Sequence, residues 1–304
     1  MRVLIVGSGF VGRAVAAELV RSGDEAVVAS RRRPRDCVHP WLPLDATDAA
    51  ACRRAVADAA PDRLVLVHGP SDVTWCEAHP EEASRGHAGA TRALAEAAQG
   101  RRIVLISTDN VFDGAAPSND ERAVPRPANA YGAAKLRAEE ALLALSDTST
   151  VLRVSLVYGA DPSRTGQWLN FFEACVRQLR RHEPVAAPDD HWTTPVLVDD
   201  VAAVTRAVLA GGSTPPLLHL GGPDRLTRDA WARLIAERLG LPAGLVVPTP
   251  RARSRYASRP ENACLSSVLL DSTPATRGIR VRGVREGVRL LLPEGRPAAD
   301  GTPR

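Results

Sequence analysis

The sequence predicts an α/β fold, a doubly wound parallel sheet with a smaller C-terminal substrate domain, and three observations carry that prediction. Short uninterrupted apolar runs alternate with segments of helical period through the first 159 residues. A glycine-rich turn sits at the first strand-to-helix junction, and after Gly159 the rhythm loosens into Pro-rich connections such as Thr214-Pro215-Pro216. Strands that are apolar on both faces and spaced by helices mean a parallel sheet covered on both sides.

The elements follow in order. Arg2–Val6 is an apolar run, Phe10–Arg21 places Val11, Val15 and Leu19 at helical spacing, and Glu25–Ala29 is apolar again. Helix-like Ala49–Ala60 leads to the strand Arg63–Val67, Pro80–Ala98 to Ile103–Ile106, and Asn129–Leu145 to Thr150–Val154. Beyond Gly159, helices are expected at Gln167–Arg181, Asp199–Leu209, Thr227–Leu239 and Val284–Leu292. Residues 1–159 with about 194–222 form the expected dinucleotide-binding domain, and about 160–193 with 223–292 the substrate domain. The stretch 293–304 lacks large apolar residues and reads as a disordered tail.

Composition excludes several classes. No run approaches the roughly 18 apolar residues of a membrane span, and Met1–Gly7 turns glycine-rich too early for a signal peptide, so a cytoplasmic location is expected. The net charge of +4 is spread along the chain without a basic arm, which argues against nucleic acid. Five scattered cysteines without a C-x-x-C argue against a disulfide framework or zinc site, and no histidine cluster has metal-ligand spacing; no metal is expected.

Gly7-Ser8-Gly9-Phe10-Val11-Gly12 is a G-x-G-x-x-G at the end of the first strand. Gly7 suits a tight turn, Gly9 close approach of backbone to a pyrophosphate, and Gly12 close helix packing, with the phosphates at the helix amino terminus. About twenty residues on, an NAD site places an acid against the ribose 2′-hydroxyl. Here stand Ser30, Arg31, Arg32 and Arg33. Guanidinium groups pair with a 2′-phosphate, so NADP(H) is expected over NAD(H), the alternative being a solvated basic loop. Next come Asp45 and Ala46: Asp45 can accept from an adenine amino group, while Thr47 or Asp48 can cap the following helix.

Of 39 basic residues, only Lys135 is a lysine, and it follows Tyr131 by four, one turn along a helix face. With three tyrosines in 304 residues, that spacing is a roughly one-in-a-hundred coincidence. A free phenol titrates near ~10, and an ammonium about 4 to 5 Å away at an effective dielectric of about 20 is worth roughly 3 to 4 kcal/mol. Lys135 is therefore expected to lower the Tyr131 pKa towards neutrality. Thr108, or Ser107 before it, ends the preceding strand where it can orient a reacting carbonyl, or simply satisfy a turn.

Together the glycine turn, the strand-end Ser107-Thr108 and Tyr131-Gly132-Ala133-Ala134-Lys135 resemble the extended short-chain dehydrogenase/reductase superfamily. Ile106–Gly114, Asp72–Glu77, Asp189–Pro195 and Arg259–Ser266 resemble, more closely, the dTDP-4-dehydrorhamnose reductase family of sugar-nucleotide-binding proteins. The resemblance implies a Rossmann domain and a catalytic set of Thr108, Tyr131 and Lys135, with the phenol protonating a sugar oxygen as NADPH delivers hydride. It places His68, Gly69 and Pro70 along the cofactor and Val154 and Leu156 beside the nicotinamide. Candidates for the nucleotide-sugar substrate are Asp72, Trp75, Thr108, Asp109, Asn110, Trp168, Asn170, His191, Trp192 and Arg259, the last able to meet a diphosphate. The alternatives are aromatic core packing for Trp75 and Trp168 and a packed inter-domain loop for His191 and Trp192. Asn110, Leu156 and His87 depart from the family's usual Tyr, Trp and Asn, and Asp109-Asn110 lacks the Asp-Glu pair of sugar-nucleotide dehydratases. Two other readings remain: a non-catalytic regulatory subunit such as that of methionine adenosyltransferase, and an epimerase. A homodimer is compatible with all of them.

Overall fold

The computed structural model describes residues 1–35, 37–161 and 170–293. Strands β1 (Arg2–Val6), β2 (Glu25–Ser30), β3 (Trp41–Pro43), β4 (Arg63–Leu66), β5 (Ile103–Thr108) and β6 (Thr150–Val154) join an edge strand, Leu217–Leu220, in one seven-stranded sheet. The order is Leu217–Leu220, β6, β5, β4, β1, β2, β3, every pair parallel. Chain order reverses direction across the sheet at β1 and β4, and a crevice for ligands opens at the carboxyl ends of the strands there.

Alternation along the strands divides the core. Val3 and Ile5 pack with Val15 and Leu19 of α1 (Phe10–Arg21) and with Val201, Val204 and Val208 of a later helix, Val198–Ala210. Leu4 and Val6 face the other way, onto Val56 of α2 (Ala49–Ala59) and Leu94, with Leu64, Leu66 and Leu105. Each such side chain contributes about 1.5 to 3 kcal/mol when fully buried, so these two layers dominate stability and fix the crevice.

The predicted continuous helix Pro80–Ala98 is interrupted. Helix α3 (Val73–Ala78) comes first, capped by Asp72, which accepts from the Trp75 amide at 3.1 Å. Pro80 then restarts the chain as α4 (Pro80–Ser84), a π-helical turn spans Arg85–Gly89, and α5 (Ala90–Ala98) follows. The wider turn brings His87 inward against Gly69, where a side chain in place of hydrogen would collide with the imidazole. Such π turns cluster at functional sites because they redirect one side chain without ending the helix. Strand β3 was absent from the sequence prediction: three residues bounded by Pro40 and Pro43 carry too little periodicity.

Helix α6 (Ala130–Leu143) begins where Asn129 accepts from the Gly132 amide at 2.7 Å. A third core gathers Tyr158, Trp231, Tyr256 and Val288 around α7 (Phe171–Arg180), with α8 the helix Val198–Ala210, α9 (Arg228–Arg238) and α10 (Val284–Leu291) following. Two-residue strands, among them Trp192–Thr193 between Leu226–Thr227 and Asn262–Ala263, knit this part together. The predicted helix start at Gln167, Trp168 and the tail from 294 lie outside the described residues. No helix among the described residues is long and apolar enough to cross a membrane.

Candidate active site

A cavity of about 500 Å³ occupies the crevice beyond β1, β4, β5 and β6. Its floor is the glycine turn. Gly7 adopts φ +121°, and a Cβ there would lie 2.7 Å from the Val67 carbonyl oxygen; a Cβ on Gly12 would strike the Gly7 carbonyl. Gly9 has open space where a side chain would be, and with Phe10 and Val11 it lines the cavity. No side chain caps the first turn of α1. An open backbone at an uncapped helix amino terminus is the cradle a pyrophosphate requires, so these residues fit a dinucleotide.

At the far end of β2, the Ser30 hydroxyl donates to the Arg32 carbonyl (2.8 Å) and accepts from Trp41 Nε1 (3.0 Å). Arg31, Arg32 and Arg33 are exposed and form no ion pair among the described residues. Asp45 accepts from the Thr47 amide (3.0 Å) and hydroxyl (2.7 Å); those bonds, against some burial and with Arg31 nearby, hold its carboxyl below the usual range. Asp48, not Thr47, caps α2 by accepting from the amides of Ala50 and Ala51. Ser30, Arg31, Arg32, Asp45 and Ala46 lie off the cavity wall, as do Gly7 and Gly12 behind the turn.

Tyr131 and Lys135 both line the cavity. Lys135 is 4% exposed and its Nζ donates to the Ile106 carbonyl at 2.6 Å; burial pulls its pKa down to about 8, opposed by the charge of Glu139. The expected lowering of the phenol is overturned. Enclosure in the crevice and the neighbouring Asp109 carboxylate push Tyr131 above the ordinary phenol value, outweighing a hydrogen bond with Thr108 and the charge of Arg259. Desolvation wins because the phenolate loses water as it forms. Tyr131 is consequently a neutral phenol throughout the physiological range, a proton donor in waiting.

Thr108 stands at the end of β5. Its Oγ1 accepts from the Asn110 amide and Nδ2 (both 3.2 Å) and donates to Asp109 Oδ1 (3.1 Å). Asn110 Nδ2 also donates to Asp109 Oδ1 (2.7 Å), Ser155 Oγ to Asp109 Oδ2 (3.2 Å), and Asn129 Nδ2 to Asn110 Oδ1 (3.0 Å). Burial nevertheless pushes the Asp109 carboxyl up to about 6. Asn110 thus serves as a clamp between Thr108, Asp109 and the start of α6. Deeper in, Glu139 pairs with Arg153 (2.6 Å) and accepts from Ser107, and Arg153 reaches His219 Nε2 (3.3 Å), tying α6 to β5 and β6.

The other predicted residues are dispersed. His68, Gly69, Val154 and Leu156 line the cavity, with Asn170 and Arg259 at the substrate side. His68 is driven to about 3 by burial, with Lys135 adding to the shift, and is neutral. Pro70 lies just outside, its carbonyl within 2.9 Å of His87 Nε2. Asn170 caps α7 and donates to the Gly159 carbonyl (2.9 Å). Of the substrate candidates, three are not brought to the wall: Asp72 is occupied as a cap, Trp75 stacks on His79 at 4.5 Å, and Trp192 lies under Arg225 at 4.0 Å. Ser155, in the stretch expected beside the nicotinamide, lines the cavity, and so do Arg228 and Thr193, which were not singled out for it. Arg228 is one of 38 arginines, and nothing in its spacing distinguishes it.

A parallel sheet with a phosphate cradle facing a Tyr–x–x–x–Lys helix across one crevice defines a nicotinamide-dinucleotide-dependent oxidoreductase of the extended short-chain dehydrogenase/reductase kind. Residues 1–296 match the RmlD substrate binding domain, and the chain belongs to that family. Methionine adenosyltransferase 2 subunit beta of Rattus norvegicus is 31% identical over 92% of this chain and 86% of its own. A dTDP-4-keto-6-deoxy-D-glucose reductase of Streptomyces niveus is 33% identical over 83% of each. The fold is shared with dTDP-4-dehydrorhamnose reductase of Bacillus anthracis, solved in complex with NADP: TM-score 0.80 at 22% identity, covering 97% of this chain and 99% of that one.

Proposed function

We propose that this protein reduces a keto group on a nucleotide-activated deoxysugar, using NADPH in preference to NADH. The observation that carries the reading is the neutral Tyr131 phenol, which shares one crevice with Thr108, Lys135 and the open glycine turn. A bound reduced nicotinamide dinucleotide supplies the hydride. Gly9 and the first turn of α1 hold its pyrophosphate, and Arg31 and Arg32 its 2′-phosphate. Thr108, held by Asn110, would turn its hydroxyl proton from Asp109 to the carbonyl oxygen of the sugar and so position it. Tyr131 donates its phenolic proton to that oxygen as the carbon accepts hydride, so ketone becomes alcohol. The resulting phenolate is stabilised by Lys135, whose Nζ is held in the same crevice by the Ile106 carbonyl. General acid catalysis of this kind contributes about 10² to 10⁴ in rate.

The test is NADPH oxidation with dTDP-4-keto-6-deoxyglucose and related ketosugar nucleotides, with the product identified as the alcohol. Turnover at the nicotinamide absorbance supports the reading, and its absence with every ketosugar nucleotide contradicts it. A second reading is favoured by the similarity to methionine adenosyltransferase 2 subunit beta over nearly the whole chain: a dinucleotide-binding regulatory subunit. Stoichiometric binding to a methionine adenosyltransferase catalytic chain, without ketosugar turnover, distinguishes it.

A further inference from the structure

The cavity that holds Tyr131 is also bounded by His191, Thr193, Arg228 and Arg259, and the chemistry there is one-sided. Arg228 is 2% exposed; its Nε donates to His191 Nδ1 at 2.9 Å, and its Nη1 is buried without a hydrogen-bond partner. Since His191 Nδ1 accepts, the ring proton resides on Nε2, which is likewise buried and unpartnered. Thr193 Oγ1 is in the same condition at 1% exposure. The Arg228 guanidinium lies over Phe171 (4.9 Å) and Tyr256 (4.1 Å), and Arg255 and Arg259 approach the same Tyr256 ring at 5.0 and 5.1 Å. Three cations therefore share one aromatic ring.

No carboxylate pairs with Arg228 among the described residues. Asp109, the acid within its electrostatic reach, is already engaged by Thr108, Asn110 and Ser155. Burial draws Arg228 down to about 10, which leaves it charged at neutral pH. A buried, unpaired guanidinium costs several kcal/mol, a cost that folding tolerates here without any internal counter-ion. Arg228 Nη1 and His191 Nε2 can only donate, and the Thr193 hydroxyl can donate or accept. Such a set repels a cation, gains little from a neutral group, and is satisfied by oxygens bearing negative charge.

We infer that Arg228, His191 and Thr193, with Arg259 at their margin, form an oxyanion subsite that takes a charged group of the substrate: its diphosphate, or a carboxylate on the reacting sugar. This rests on the nucleotide-sugar reading for the rest of the ligand, but the anion itself is set by the donors. The guanidinium supplies a fork for two oxygens, and His191 and Thr193 add one donor each. The subsite makes Arg228 a specificity-determining residue.

The test uses calorimetric titration of the wild type, Arg228→Met and His191→Asn, each with NADP present, against inorganic pyrophosphate, glucuronate, UDP-glucose and UDP-glucuronic acid. Arg228→Met is expected to weaken the anionic ligands at least tenfold while NADP affinity stays within about twofold. Equal losses for both UDP-sugars, shared by pyrophosphate, identify the diphosphate. A wild-type preference of at least tenfold for UDP-glucuronic acid over UDP-glucose, abolished in Arg228→Met, identifies the carboxylate. Should Arg228→Met not fold, His191→Asn, which keeps the cation and removes the Nε2–H donor, is expected to weaken the same ligands about threefold or more. If pyrophosphate or glucuronate binds through Arg228 while no nucleotide sugar binds, the subsite stands and the nucleotide-sugar reading fails. Unchanged affinities in a variant that still binds NADP, or no binding of any of the four ligands to the wild type, overturn the inference.

Discussion

The two walls of the crevice are built on opposite plans. The wall formed by β1, β4, β5 and α6 uses backbone: a glycine turn, an uncapped helix end, a carbonyl that holds Lys135, and hydroxyls locked by neighbouring amides. The opposite wall uses side chains, chiefly arginines gathered around Tyr256, and leaves several of their donors unsatisfied. In the first, Lys135 and the Thr108, Asp109 and Asn110 side chains are hydrogen-bonded within the protein, while in the second Arg228 Nη1, His191 Nε2 and Thr193 Oγ1 have no partner. The difference teaches where chemistry and selection are separated: proton transfer needs a rigid, pre-satisfied frame, whereas substrate choice can reside in donors left unpaired.

Breaking the rigid wall should cost most. Glu139→Gln removes the carboxylate that holds Arg153 and Ser107, leaving a buried guanidinium uncompensated; unfolding in denaturant is expected to show a loss of about 3 to 5 kcal/mol. A loss below about 1 kcal/mol would mean that the network does not fix α6 to the sheet.

Asp109 gives a pH-dependent version of the same comparison. Its folded pKa is raised from 3.8 to about 6, so the stability it contributes is fully present below about pH 4 and is lost as pH rises through about 6. The roughly two-unit shift is worth about 3 kcal/mol. Asp109→Asn cannot ionise and escapes that loss. Its stability relative to wild type should therefore rise by about 3 kcal/mol between pH 4 and pH 7; a flat difference would place the ionised carboxyl in a better-solvated setting than the structure gives it.

The smallest expected effect concerns the exposed arginines after β2. Replacing Arg31 and Arg32 together by serine is expected to raise KM for NADPH about tenfold, near 1.4 kcal/mol, and to leave NADH unchanged. Parallel changes with both cofactors would assign these residues to a solvated loop.

How much of this was legible in the sequence follows the same division. Strands β1 and β6 are recovered to the residue, and α1, α2 and α6 to within two, because uniform apolar runs and helical periods determine them directly. Gly7, Gly9 and Gly12 are visible because backbone recognition demands glycine at fixed spacing, and Tyr131 with Lys135 because both residue types are rare in this chain. Strand β3 and the two-residue strands were too short to carry a period, and the π turn at His87 depends on a tertiary contact with Gly69 that no local pattern announces. Arg228 was hidden by abundance: its burial, not its identity, marks it. The direction of the Tyr131 shift was misjudged because a pairwise charge argument counts Lys135 and omits both desolvation and Asp109.

The proposed reduction turns on Tyr131 delivering the proton while NADPH supplies the hydride. Its most direct test is kcat of Tyr131→Phe with a ketosugar nucleotide and NADPH, measured beside the dissociation constant for NADPH. The expected result is a fall in kcat of about 10² to 10⁴ with cofactor affinity within about twofold of wild type. Full turnover by the phenylalanine variant would contradict it.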